Sequence, residues 1–369
     1  MAELVLARAV ETSPRAKGRG AEFNAAAHGL RGIASLMVFC AHILGGTAEH
    51  IYAENLEYVA LIYRPWQFGR WGVELFFVIS GFVILPSVLR YAPKEFALRR
   101  FFRIYPLFFV LSLLFVGLNL ITNTQPAMNN PWNILACLLF LNLATGTDQL
   151  TPNAWSLTFE VIFYTLTAFI VYFLKHKRSE AWAAGAIVTA IVFVALYPIA
   201  VFFLFGIGIR LLFDRGLIPT GRGAQLAEIG FAIGCLIFAS TDWFHYTPAD
   251  LANPLVYAII ISTVGYFCLA VSPQSLTSRL LSGRAITYLG TVSYSLYLVH
   301  PYTYLILRML FQDFGLFDFG WQISMPLFFL VAVPITLIAT HLAHHALERF
   351  PYQWFFHQRI YRVRPTSKA

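Results

Sequence analysis

The sequence predicts an all-α, polytopic integral membrane protein with about ten transmembrane helices and both termini cytoplasmic. Three observations predict it. The chain of 369 residues is 58% hydrophobic and 12% charged, with mean hydropathy +0.66, whereas a soluble domain carries about 25% charged residues. Its apolar residues, 35 Phe among them, fall into blocks near the roughly 20 helical residues that cross a bilayer core. Its Lys and Arg gather between alternate blocks, as positive-inside topology requires.

Taken in order, residues 1–24 form a basic cytoplasmic tail without the apolar core of a signal peptide. The first span, 30–48, carries Arg31 at its cytoplasmic end and His42 eleven residues later. At the helical rise, His42 lies about 16 Å beyond Arg31 and therefore near the midplane. An ionisable group at that depth is costly and marks a functional site, and imidazole suits proton transfer near neutral pH. Arg31 alone reads as a positive-inside anchor.

The second span, 71–90, places Glu74 about one turn inside its outer end, after a loop holding Arg64 and Arg70. Ser80 reads as packing, because no Gly-x-Ser-x-Gly elbow surrounds it. Arg99, Arg100 and Arg103 stand at the cytoplasmic mouth of the third span, 104–122. Arg100 and Arg103 share a helix face, and two guanidinium forks there suit phosphate or a lipid headgroup. Trp132–Leu143 is apolar but short, so it is expected to be interfacial or re-entrant in the outer loop 123–153. Trp155 opens the fourth span, 155–174, and Glu160 lies about 8 Å inside it.

The block 181–213 reads either as one long helix or as a pair, 181–197 and 198–213, bent at Tyr197-Pro198. Spans at 224–240, 254–272, 286–311 and 322–347 follow. His300 falls near mid-membrane in the ninth span, and His341, His344 and His345 fall at the C-terminal end of the tenth, where they complement the helix dipole. With the pair reading and a non-crossing 132–143 segment, every basic residue except Arg64, Arg70 and Arg308 lies on the cytoplasmic side. Changing either assignment alone moves later clusters outside. Residues 351–369 are then a second basic cytoplasmic tail.

The net charge of +8 does not point to nucleic acid, because the cations punctuate apolar blocks instead of forming one basic face. Cys40, Cys137, Cys235 and Cys268 have no metal-like spacing, and no metal is expected.

Five segments occur in an order that resembles the membrane acyltransferase 3 family, over residues 24 to 350. They are Arg31-x10-His42, Gly72 to Phe82, Arg99-Arg100-x-x-Arg103-Ile104-Tyr105-Pro106, Trp155-Ser156-Leu157-x-x-Glu160, and Tyr294-Ser295-Leu296-Tyr297-Leu298-x-His300-Pro301. Residues 25–350 would then be an acyltransferase transmembrane domain in the inner (plasma) membrane. The resemblance implies transfer of an acyl group, usually acetyl from acetyl-CoA, to a hydroxyl of an envelope glycan or exported polysaccharide. It also implies essential Arg-x10-His and Arg-x-x-Arg pairs, which fall on Arg31, His42, Arg100 and Arg103. Glu74 departs from the Asp of many members. Some members append a soluble esterase-like domain, which is not found before Ala369.

The residues read on their own agree. Arg100 and Arg103, helped by Arg31 or Arg99, are expected to hold the CoA phosphates at the cytoplasmic mouth. His42 takes a proton from the acceptor hydroxyl, Glu74 or Glu160 orients His42 or the sugar hydroxyls, and His300 completes the catalytic candidates. Acyl-CoA, a glycan or lipid-linked saccharide, and membrane lipid are the expected partners. The competing reading is a proton-coupled transporter, which also needs intramembrane histidines and carboxylates. It gives the arginine cluster no role.

Overall fold

The computed structural model describes residues 23–356 except 124, 152 and 177–179. Most of both basic tails, together with Lys177 and Arg178, lies outside the described residues. Among the described residues the secondary structure is entirely helical, with no strand. The helices are α1 (Ala25–His50), α2 (Leu56–Arg70), α3 (Gly72–Arg90), α4 (Pro93–Thr122), the short α5 (Pro131–Leu138) and α6 (Asn142–Thr145), α7 (Ala154–His176) and α8 (Glu180–Leu196). After them come α9 (Val201–Asp214), α10 (Arg222–Ala239), α11 (Pro254–Ala270), the short α12 (Leu276–Leu280), α13 (Arg284–Asp313), α14 (Trp321–Ala343) and α15 (Phe350–Phe355).

Six helical stretches are long and apolar enough to cross a membrane: Ala25–His50, Leu56–Arg90, Pro93–Thr122, Ala154–Lys175, Arg222–Ala239 and Trp321–Phe355. The chain is a multi-pass membrane protein. α8 and α11 are apolar but shorter, and α9 has 14 residues. α13 has the length, at 30 residues, but not the apolarity, because Ser293, Tyr294, Ser295, Tyr297 and His300 are all buried along it.

The spine of the molecule is the parallel pair α1 and α13. Lipid gives little hydrophobic drive for helix association, so close packing of small residues has to supply it. Here a Cβ on Gly32 would lie 2.6 Å from Gly290 N, and one on Gly290 would lie 2.3 Å from His28 O. The register is constant: His28 meets Thr287, His42 meets His300, and Gly46 meets Tyr304. A second close pair joins α3 to α9, where a Cβ on Gly81 would come within 2.1 Å of Phe203 O.

One loop of the sequence reading becomes a helix. Arg64 and Arg70 lie in α2, which runs into α3 through Trp71: Trp71 N–H donates to Gln67 O and Leu75 N–H to Trp71 O, both at 3.3 Å. Arg64, Pro65, Gln67 and Arg70 interrupt the apolar run, so hydropathy hid the helix. The face formed by Tyr58, Ile62, Gln67 and Gly69 is nevertheless buried. A Cβ on Gly69 would lie 2.7 Å from Ala41 Cβ, and one on Gly72 would lie 2.7 Å from Ala34 O. Glu74 therefore sits near the centre of a 35-residue helical path, not one turn from its outer end.

The chain does break at Tyr197, followed by a single 3-10 turn at Pro198–Ala200. α8 runs back along α7, with Trp182 against Phe173 and Tyr197 against Phe159. α9 then reverses again beside α3: Phe203 stacks on Phe77 and Phe163 at 4.3 Å each, and Phe213 meets Phe82. α5 spans only about 12 Å, far short of the bilayer core. Phe140, just beyond it, stacks on Phe108 at 4.6 Å, roughly 21 Å of helix below the end of α4. The 131–145 segment therefore dips inward and returns.

The last span does not end at its histidines. A π-helical turn, His344–Arg349, continues α14 into α15. The wider turn brings His344 and Glu348 to the buried side, where His344 Nδ1 lies 2.8 Å from Glu348 Oε2 and Ser295 Oγ–H donates to that same oxygen at 2.9 Å.

Candidate active site

Eleven residues make three helical turns and about 20° more, so Arg31 and His42 project from one face of α1. On α13, Tyr297 and His300 share a face at i, i+3. The constant α1–α13 register brings the two histidines together: His42 Nδ1 and His300 Nε2 are 2.7 Å apart. The rings stack at 5.0 Å with 26° between planes. His300 is fully buried and His42 half-buried.

The partners of His300 fix which nitrogen carries a proton. Its Nδ1 lies 2.9 Å from Leu296 O. A carbonyl only accepts, so Nδ1–H is the donor and Nε2 of neutral His300 is an acceptor. Asn153 Nδ2–H donates to Tyr297 O at 2.7 Å and also lies 3.2 Å from His300 Nε2. His42 therefore donates through Nδ1–H to His300 Nε2, and His42 Nε2 is left as a bare lone pair. That is the tautomer a general base requires.

A polar column descends from this pair. Ser156, Glu160 and Tyr164 stand four residues apart on one face of α7. Ser156 Oγ lies 2.8 Å from Tyr297 Oη. Glu160 accepts from Ser80 Oγ–H at 3.0 Å and from the Tyr164 hydroxyl. Below it stand Arg31, Arg100 and Arg103. The Arg31 guanidinium lies within electrostatic range of Arg103, Glu160, Tyr164 and Glu348. Arg100 stacks on the Tyr164 ring at 4.9 Å and donates to Ser87 Oγ at 3.0 Å.

Arg31 and Arg103 make no hydrogen bond or ion pair with another described residue. Glu160 and Glu348 are already engaged by Ser80, Tyr164, Ser295 and His344. Half-buried guanidiniums that lack protein partners favour an external anion, and their forks match phosphate oxygens.

The structure separates the remaining candidates from these. Arg99 turns away from the cluster, pairing with Glu95 at 2.7 Å and donating to Tyr352 Oη at 2.7 Å. Glu74, 2% exposed, faces Arg70 and Tyr246 and not the histidines. Its Oε2 makes no hydrogen bond within the described residues. Glu160 lies below the histidine pair and does not touch it. His341 meets Tyr288, at 2.5 Å. No group of three or more His, Cys, Asp or Glu gathers in metal-holding geometry among the described residues.

Several site residues escaped sequence reasoning. Asn153 precedes α7 and read as loop. Tyr164 was not singled out, although the 156–160–164 spacing was a usable signal. Arg70, assigned to an outer loop, lies within electrostatic range of both His42 and Glu74 and stacks at 3.9 Å on Trp243. Glu348 gave no signal, because only the π turn directs it inward.

A family model described as an acyltransferase domain matches residues 24–344. No curated protein matches the chain, and no solved structure does.

Proposed function

The chain belongs to the acyltransferase 3 family, and from that premise we propose that it moves an acyl group, acetyl in the simplest case, from cytoplasmic acyl-CoA to an extracytoplasmic hydroxyl. The acceptor in this reading is a glycan or lipid-linked saccharide, and the protein resides in the inner (plasma) membrane. It crosses ten times with both termini cytoplasmic, so that α1 starts at the donor side and ends at the acceptor side.

The observation that carries the reading is the alignment on one face of α1: Arg31, which has no hydrogen-bond or ion-pair partner among the described residues, at one end, and about 16 Å along a histidine whose Nε2 is left unprotonated. Arg31, Arg100 and Arg103 hold the donor phosphates, and the pantetheine arm extends beside Tyr164 and Glu160 toward His42. His42 Nε2 removes the acceptor hydroxyl proton as that oxygen attacks the thioester carbonyl. A C–O bond forms, the C–S bond breaks, and the proton passes from His42 to the departing CoA thiolate. His300 is a positioning residue: its Nε2 keeps accepting from His42 Nδ1–H while the imidazolium exists. Arg99 is left out of the donor set, because Glu95 and Tyr352 already hold it.

Purified protein given acetyl-CoA and envelope glycan tests this. Acceptor-dependent release of CoA with acyl ester on the glycan is the expected result. Proton-coupled movement of solute with no CoA release would return the chain to the transporter reading.

A further inference from the structure

α4 and α7 each present an apolar stripe to the other without closing the gap between them. Ala97, Phe101 and Tyr105 recur every four residues on α4, and Val161, Ala168 and Tyr172 recur seven and then four residues apart on α7. Between them lies a groove of about 540 Å³. Phe140 of the inward-dipping segment lines one end. Its length, from residue 93 to 105, is about 18 Å of helix, close to the roughly 15 Å of hydrocarbon in one bilayer leaflet. Phe101 and Phe169 at its rim are 47% and 53% exposed, so it opens sideways toward lipid.

The opposite end is different. A second cavity of about 280 Å³ shares Pro93, Phe96, Ala168 and Tyr172 with the groove and is lined by Arg90 and Lys175. Both cations are exposed. Among the described residues Lys175 Nζ makes only a long 3.4 Å contact, to Leu89 O, and the Arg90 guanidinium lies 5.4 Å from the Tyr91 ring. An apolar slot one leaflet long, continuous with a pocket holding two cations, has the polarity profile of an anionic amphiphile.

We propose that this composite site binds one anionic phospholipid of the leaflet that faces Arg90 and Lys175. Its acyl chain lies between α4 and α7, and its phosphate sits between the two cations. Basic pockets between spanning helices recognise anionic headgroups in this way. The site is separate from the histidine pair, and its occupancy does not depend on the reaction catalysed. It abuts the polar column only at Arg100 and Tyr164, which form part of the groove wall. A bound chain would keep that wall closed to lipid.

Native mass spectrometry of the detergent-purified full chain, titrated with phosphatidylglycerol or phosphatidylcholine, tests the proposal. The wild type should retain one phosphatidylglycerol at least about tenfold better than phosphatidylcholine, and added salt should reduce the preference. Replacing both cations, Arg90→Gln with Lys175→Gln, should erase the preference, and Arg90→Lys with Lys175→Arg should restore it. Ala168→Trp, which fills the slot, should lower retention of both lipids. Glycerol phosphate without a chain should not displace the bound lipid. Equal retention of the two lipids by wild type, or an unchanged preference in the double Gln variant, overturns the proposal. Displacement by glycerol phosphate alone overturns it too, in favour of a free-phosphate pocket.

Discussion

At the scale of single residues, one backbone carbonyl decides a tautomer. Leu296 O fixes the proton on His300 Nδ1, and this leaves His42 Nε2 as the free base. His42→Ala should therefore lower turnover by about 10²–10⁴, the usual worth of a general base, with the protein still folded and inserted. Near-normal turnover in that variant would make His42 a packing residue. His300→Phe removes the acceptor but leaves His42, and a loss of about 10–100-fold is expected by analogy with other ring-orienting partners. Steady-state kinetics should place that loss in kcat, with the KM for acyl-CoA unchanged. The arginines separate by the same reasoning. Arg100→Lys and Arg103→Lys keep charge but lose the fork, so calorimetry with free CoA should record weaker binding. Arg99→Lys and His42→Ala should bind CoA nearly as wild type does. Equal affinity across all of these would return Arg100 and Arg103 to lipid anchoring.

At the scale of helices, the α1–α13 contact sets the distance on which the histidine pair depends. Gly32 and Gly290 allow the two backbones to meet, and His42 and His300 each stand ten residues further along. A methyl at residue 290 would lie 2.3 Å from His28 O, and backbone cannot yield as a side chain can. Gly290→Ala should cost about 1–3 kcal/mol, as overpacking does, measurable as a lower Tm in detergent. It should also lower activity by widening the histidine separation, although it touches neither ring. Unchanged Tm and activity would mean that the pair tolerates a shifted register. By contrast, Gly117 has nothing within 4 Å of a built Cβ, and Gly117→Ala serves as the neutral comparison.

At the scale of the whole molecule, the expected ten crossings have a direct check. Cysteines at Asn55 and Asp313 should react with an impermeant thiol reagent in intact cells, and one at Lys177 should not, with the native four-cysteine chain as background. Labelling at Lys177 would overturn the topology. Much of this architecture was legible in the sequence. Apolar length and charge placement located helix over each of the ten segments, because lipid forces backbone hydrogen bonds to be satisfied within each helix. The break at Tyr197-Pro198 was readable as well, since proline removes a backbone donor. Hydropathy did not reveal α2, whose apolar run is broken by Arg64, Pro65, Gln67 and Arg70 and whose buried face of Tyr58, Ile62, Gln67 and Gly69 includes a polar side chain. Nor did it reveal the inward turn of Glu348, which depends on a π-helical turn. The sequence by itself determined ten helical segments, the family, and the residue types chemistry could use: Arg31, His42, Glu160, His300, and the Arg100 and Arg103 pair. Only the tertiary structure decided which of them meet. It joined His42 to His300, separated Glu74 and Arg99 from the sites they were expected to share, and added Asn153, Tyr164 and Arg70. The physical reason is that helical periodicity fixes the face on which a side chain stands, whereas its partner on another helix is set by the register at which two backbones can approach.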